Sequence, residues 1–183
     1  MMGFTEKEMI GILNNQEIPI DEQKKILPIM KENYDGYKFN IEAENQIYNS
    51  TMCLYFLSKY IWSKRIPSEL VDMNIASDYS KIGKMLDLCK GENRLEILRK
   101  TVQGEPIESS IVEKFNPAID FTETDMISML YYLGYLTIAG DLAGIPELVI
   151  PNKVMKEIYA SYFMQLMSQE DRCCRKIKFH SSK

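Results

Sequence analysis

Chemistry in this chain would have to come from its carboxylates, its four cysteines, its glycine turns or its single histidine. The spacing of each narrows what it can do. Acid–base or triad chemistry needs a positioned imidazole, and His180 lies in Lys178-Phe179-His180-Ser181-Ser182-Lys183, a tail by composition. The 26 Asp and Glu residues are scattered, with Glu6 and Glu8, Glu42 and Glu44, and Glu123 and Asp125 among the closer pairs. These pairs are two apart on segments that read as helix or loop, where such pairs are solvated surface. Cys53, Cys89, Cys173 and Cys174 have no metal-ligand spacing, and the one histidine stands in the extreme tail, which argues against a zinc site. Cys53 and Cys89 fall inside apolar helical patterns and read as small buried hydrophobes. Cys173-Cys174 is more exposed by context. A phosphate cradle needs a Gly-x-x-x-x-Gly-Lys-Ser/Thr loop that presents backbone N–H groups. None of the nine glycines has that context, Gly140 and Gly144 included. No catalytic, cofactor-binding or metal-binding residue is therefore assigned, and ATP hydrolysis by the chain alone is not expected.

Asp35 is the acidic residue that stands out, because it sits in a glycine turn between Tyr34 and Tyr37. Two readings are open. Asp35 holds the turn by accepting backbone N–H groups while the tyrosines pack on neighbouring helices, or the turn is a surface on which something else packs. Asn49 has the same ambiguity, with helix capping as the simpler reading.

The elements that position these residues read as mainly α. With 183 residues, 45% apolar and 26% charged, the chain can bury one substantial core or two small ones that share an interface. Thr5 and Glu8 have capping-box spacing, with Phe4 and Met9 placed as a hydrophobic staple, so a helix should run from Thr5 to about Asn14. A second is expected from Asp21 to about Glu32, kinked or shortened by Pro28. The Asp-Gly dipeptide then reads as a tight turn or small hairpin. Asn49 or Ser50 caps a helix over Met52 to Trp62 that is apolar on nearly every face and should be buried. Further helices are expected from Ser77 or Asp78 to Gly91 and from Asn93 to Thr101, then a short strand within Ile107 to Val112. Thr122 and Asp125 form a second capping box, and that helix ends at Gly134. Tyr135 to Ala139 and Glu147 to Ile150 read as strands joined by a loop over Gly140 to Pro146, and Pro151-Asn152 opens a last helix reaching Leu166. Helix, strand, loop, strand, helix is the order of the second half of a winged helix. The expected organisation is a helical, lid-like region over 1–104, a winged-helix-like subdomain with one β-hairpin over 105–168, and a basic disordered tail over 169–183.

Partner classes narrow as well. The longest apolar runs fall short of the roughly 20 residues that span a bilayer, and the opening residues match neither a signal nor a transit peptide, so a cytoplasmic location with no membrane partner is expected. A net charge of −4 argues against coating nucleic acid. The stretch Thr122 to Ile150 holds Glu123, Asp125, Asp141 and Glu147 and not one Lys or Arg, so its face would repel phosphates. The concentrated basic cluster runs from Arg172 to Lys178.

Three stretches resemble one family. Asn33-Tyr34-Asp35-Gly36-Tyr37-Lys38-Phe39 followed by Ile47-Tyr48-Asn49-Ser50 resembles the Tyr-Asp-Gly-Tyr-x-Phe … Tyr-Asn-Pro signature of the prokaryotic AAA-ATPase-like family, whose members often carry a PD-(D/E)XK nuclease-like domain. Gly134-Tyr135-Leu136-Thr137 is similar to its Gly-Tyr-Leu-Thr segment, and Ile150-Pro151-Asn152 to its Ile-Pro-Asn segment. Asn33 stands where an aromatic is expected, and Ser50 where the proline is. The resemblance implies a carboxyl-terminal part of such a protein without the nucleotide-binding core, a truncated product or a free-standing domain. Its signature residues would be Tyr34, Asp35, Gly36, Tyr37, Phe39, Tyr48, Asn49, Gly134, Tyr135, Leu136, Pro151 and Asn152. It implies packing on an ATPase core or nuclease-like domain and coupling of the core's nucleotide state to a partner domain, with the Asp35 motif facing the missing core and helping to sense nucleotide, and with ATP and magnesium belonging to the parent system. An apolar surface left by the missing core would promote self-association. A free-standing interaction module is the alternative, and a nucleic-acid binder acting through the basic tail a third.

Overall fold

The computed structural model describes residues 3–71, 93–115 and 121–180. The described chain is mainly α, with six helices and two small sheets. The helix expected from Ser77 or Asp78, with Cys89 on it, lies outside the described residues.

Strand β1 (Gly3–Phe4) leads into α1 (Glu6–Asn15), where Thr5 and Glu8 close the capping box. The end of α1 is a Schellman motif made without glycine. Glu17 adopts φ 52°, its N–H reaches the Asn14 carbonyl at 2.9 Å, and the Ile18 N–H reaches that of Leu13 at 3.2 Å. Helix α2 (Ile20–Tyr34) is longer than expected at both ends and runs through Pro28. Pro28 and Lys24 both lie on the exposed side. The Lys24 carbonyl, which loses its helical partner to proline, is thus left on the side of the helix that water reaches. Strand β2 (Tyr48–Asn49) pairs antiparallel with β1, and Asn49 caps α3 (Ser50–Ser63) by accepting from the Met52 N–H at 3.2 Å.

The expectation that α3 is buried all round is corrected. Met52, Cys53, Phe56, Leu57 and Tyr60 face the core, whereas Leu54 is 53% exposed and Trp62 is 88% exposed. An amphipathic helix uses one stripe for the core, and the apolar residues outside that stripe stay in water.

Helix α4 (Asn93–Gln103) is followed by β3 (Ile107–Glu108), shorter than the strand expected there. Helix α5 (Glu123–Tyr132) opens on the Thr122–Asp125 capping box. It closes in a second Schellman motif, with the Gly134 N–H on the Tyr131 carbonyl at 3.0 Å and the Tyr135 N–H on that of Leu130 at 2.8 Å. Strands β4 (Thr137–Leu142) and β5 (Ile145–Val149) extend through the region expected to be a loop. Gly140 sits at a register irregularity after Ile138, and Pro146 still offers a carbonyl, which accepts the Ser109 N–H at 3.2 Å. The connection shrinks to Ala143 and Gly144, at φ 53° and 87°, as a two-residue hairpin requires. β3 pairs with β5 on its other side, giving the order β3-β5-β4.

Helix α6 (Lys153–His180) carries the chain onward. Where a disordered tail was expected from residue 169, the helical backbone continues to His180. α6 packs on α4 and α2, and one buried apolar cluster runs from Met9 through Tyr34, Phe56, Leu98 and Leu136 to Tyr159. The core therefore crosses the expected boundary at residue 104.

Candidate functional site

The motif residues meet at one seam, where the end of α2 touches the start of α6. The signature does not form an Asp-Gly hairpin. Tyr34 is the last residue of α2, Asp35 is extended at φ −81° and ψ −178°, and Gly36 turns the chain at φ 103°. A type I′ hairpin would need positive φ at both Asp and Gly. The extended Asp35 instead ends the helix and sends Tyr37 into a single antiparallel bridge with Ile47.

Gly36 is required sterically as well as conformationally. A Cβ built on it would lie 2.0 Å from the Pro151 carbonyl oxygen. The next residue completes the closure: the Asn152 side-chain amide donates to the Asp35 carbonyl at 3.0 Å, and its Oδ1 accepts the Met155 N–H at 3.1 Å, capping α6. One asparagine thus starts a helix and ties it to a turn 117 residues earlier.

β4 joins the same seam. Thr137 Oγ1 accepts the Lys38 N–H at 2.6 Å and donates to the Lys38 carbonyl at 3.0 Å, while the Ile138 N–H reaches that carbonyl at 3.2 Å. The Tyr131 hydroxyl donates to the Phe39 carbonyl at 2.7 Å, and its ring packs 5.7 Å from Phe39, which stacks on Tyr37 at 5.9 Å. Tyr34 meets Phe56 edge-on at 6.0 Å and donates to the Leu70 carbonyl at 2.7 Å. Tyr135 meets Tyr159 edge-on at 6.3 Å. Tyr48 and Leu136 are buried, and Gly134 closes α5. Asp35, Gly36 and Asn152 make the seam with Pro151, Tyr37 and Phe39 join it, and Tyr34, Tyr48, Asn49, Gly134, Tyr135 and Leu136 serve the core and the helix ends.

Asp35 is 8% exposed. Burial pushes its carboxyl above the usual Asp range, opposed by the Gly36 N–H and by Lys31. Its Oδ1 has no hydrogen-bond partner. Lys31 is itself held by Glu6 at 3.0 Å, which raises its pKa. Cys53, buried beside this group, has its thiol pushed up by desolvation and then by Asp35, so it is the inert thiol its pattern suggested. Asn33 is also buried, and its side-chain amide donates to the Ile29 carbonyl at 2.8 Å. Among the described residues no group of His, Cys, Asp and Glu is gathered to hold a metal, and no helix is long and apolar enough to cross a membrane.

Thr137, the last residue of the Gly-Tyr-Leu-Thr stretch, and Tyr131, just before that stretch, are the seam residues to which sequence reading gave no role. The available signal was their position against Gly134-Tyr135-Leu136. Their partners, the Lys38 and Phe39 carbonyls, belong to the backbone and carry no sequence mark. The chain matches no protein-family model, no curated protein and no solved structure.

Proposed function

We propose that this chain is a non-catalytic helical module of an AAA-ATPase-like system, which packs on a nucleotide-binding core and couples its nucleotide state to a partner domain. The observation that carries the reading is the convergence of the three motifs. Stretches around residues 34–39, 134–137 and 150–152 resemble one family in sequence order, and they close on one another through Gly36, Asn152 and Thr137. Independent chance matches have no reason to meet. The seam locks α2, β4 and α6 into one body, and a rigid body transmits movement at one face to another.

The second half is read as winged-helix-like. The order α4, β3, α5, β4, β5 and the strand arrangement β3-β5-β4, with a hairpin tip at Ala143-Gly144, support this. The acidic character of α5 and the hairpin favours a protein partner over a phosphate backbone for that face.

The test uses the purified chain and the product of any neighbouring reading frame that encodes a Gly-x-x-x-x-Gly-Lys-Ser/Thr loop. The chain alone should show no ATP turnover, and it should bind that product with an affinity that depends on the bound nucleotide. Robust turnover by the chain alone would overturn the proposal.

A further inference from the structure

The cation that belongs beside Asp35 is engaged by another carboxylate. Lys31 lies one helical turn before Asp35, whose N–H bonds the Lys31 carbonyl at 3.2 Å, and the Lys31 charge acts on the Asp35 carboxyl. Its ammonium is nevertheless bonded to Glu6 of α1 at 3.0 Å. Asp35, buried at the end of α2, is left with the Gly36 N–H as a donor, while its Oδ1 has no hydrogen-bond partner. Glu6 thus acts on Asp35 twice, by occupying Lys31 and by adding a like charge.

The remaining groups around Asp35 do not compensate its charge. The Tyr48 hydroxyl from β2 and the Cys53 thiol from α3 stay neutral, because burial pushes both up. From α6, Lys153 is paired with Glu32 of α2 at 3.3 Å. The Lys31–Glu6 pair is half-exposed on both sides, so solvent screens it and little is lost when it breaks. A cation that reaches a buried carboxylate is screened far less. The charge bears on the seam because the Asp35 carbonyl accepts the Asn152 amide, Asn152 caps α6, and Gly36 lies against Pro151.

We propose that Glu6 and Asp35 compete for Lys31 and that this competition is a conformational control of the seam. With Lys31 on Glu6, the Asp35 charge is unpaired and the closure of α2 on α6 is loosened. With Lys31 on Asp35, the closure is tightened. Helix α1, which makes none of the seam's bonds, thereby regulates it, and a partner that presents a cation to Glu6 releases Lys31 to Asp35.

Amide hydrogen exchange at neutral pH tests this at the Lys38, Ile138 and Met155 N–H groups, whose bonds close the seam. Glu6→Gln deletes an ion pair, and a merely structural pair would leave these amides unchanged or exchanging faster. Competition for Lys31 requires the reverse, with exchange slower by about threefold. Lys31→Met should speed exchange by a similar factor. Both effects should vanish in an Asp35→Asn background and in acid below the ordinary Asp range, where the charge is absent. Carboxyl NMR should show the Asp35 titration moving to lower pH in Glu6→Gln and to higher pH in Lys31→Met. Seam amides that are unchanged or faster in Glu6→Gln would overturn the proposal, as would the same response in the Asp35→Asn background. A Glu6→Gln effect that persists in full when Lys31 is methionine would also overturn it, because Glu6 would then act on Asp35 directly and no lysine would change partners.

Discussion

Replacing Gly36 by alanine tests the seam at its tightest point. Two separate costs follow from the geometry. The first is conformational: at φ 103° an L-residue is strained by about 1–2 kcal/mol. The second is steric, because the new Cβ would meet the Pro151 carbonyl oxygen at 2.0 Å, whereas relaxed contact needs roughly 3.5 Å. Pro151 would have to retreat by about 1.5 Å, which stretches the 3.0 Å Asn152–Asp35 bond beyond hydrogen-bonding reach. That bond is worth about 1 kcal/mol net, and loosening the buried side chains around it costs about 1 kcal/mol more. The expected loss is about 3–4 kcal/mol, a large share of the roughly 5–15 kcal/mol that holds a domain together. At this chain length it corresponds to a melting point lower by about 10 °C. Gly144→Ala is the matched control. Gly144 also has positive φ, at 87°, but nothing lies within 4 Å of a Cβ there, so it should lose only the strain, about 1 kcal/mol. Urea unfolding of both variants gives the difference. If Gly36→Ala costs no more than Gly144→Ala, the seam is not closed as described.

Four further outcomes are expected. Asn152→Ala should cost about 2 kcal/mol, half from the lost α6 cap and half from the lost tie to Asp35, measured by the same urea midpoint. Glu17→Gly should raise stability by about 0.5–1 kcal/mol, because Glu17 is exposed and holds φ 52° without a side-chain role; an unchanged melting curve would count against the Schellman reading. Asp35→Asn should stabilise the protein at neutral pH. Burial raises the folded pKa of Asp35, so stability falls as pH rises from the ordinary Asp value through the folded one, and the charge is fully unfavourable above it. The advantage of Asn should therefore shrink to nothing in acid. Glu8 and Asp125 run the opposite way. Hydrogen bonding with Thr5 and Thr122 lowers their folded pKa values, so their contribution is present above the ordinary carboxylate range and is lost as pH falls through the folded values.

Sequence reading succeeded where the determinant is local. A capping box is four residues long, and both, at Thr5 and Thr122, are in place. Asn49 caps α3, and Gly134 ends α5, each for a reason visible within one turn of helix. It failed where the outcome depends on what lies across the chain. Pro28 reads as a breaker, yet α2 continues because Pro28 falls on its exposed side, a fact set by which face the core takes. Gly140 and Pro146 read as a loop, yet pairing with β3 and a bulge absorb both into strands. The end of α1 fell within a residue of expectation, but its Schellman closure was not legible, because the left-handed position holds glutamate where glycine is usual. The seam itself was legible only as three separate motifs. Nothing in the residues says that Asn152 reaches Asp35, since its side-chain amide donates to a backbone carbonyl and the separation is 117 residues.

The measurement that bears most directly on the proposed function is the affinity of the purified chain for a neighbouring Gly-x-x-x-x-Gly-Lys-Ser/Thr protein, determined with that protein loaded first with a non-hydrolysable ATP analogue and then with ADP. A module that couples nucleotide state to a partner must bind the two forms differently, by about tenfold for a typical coupling free energy. Equal affinities, no binding to either form, or ATP turnover by the chain alone would contradict the account.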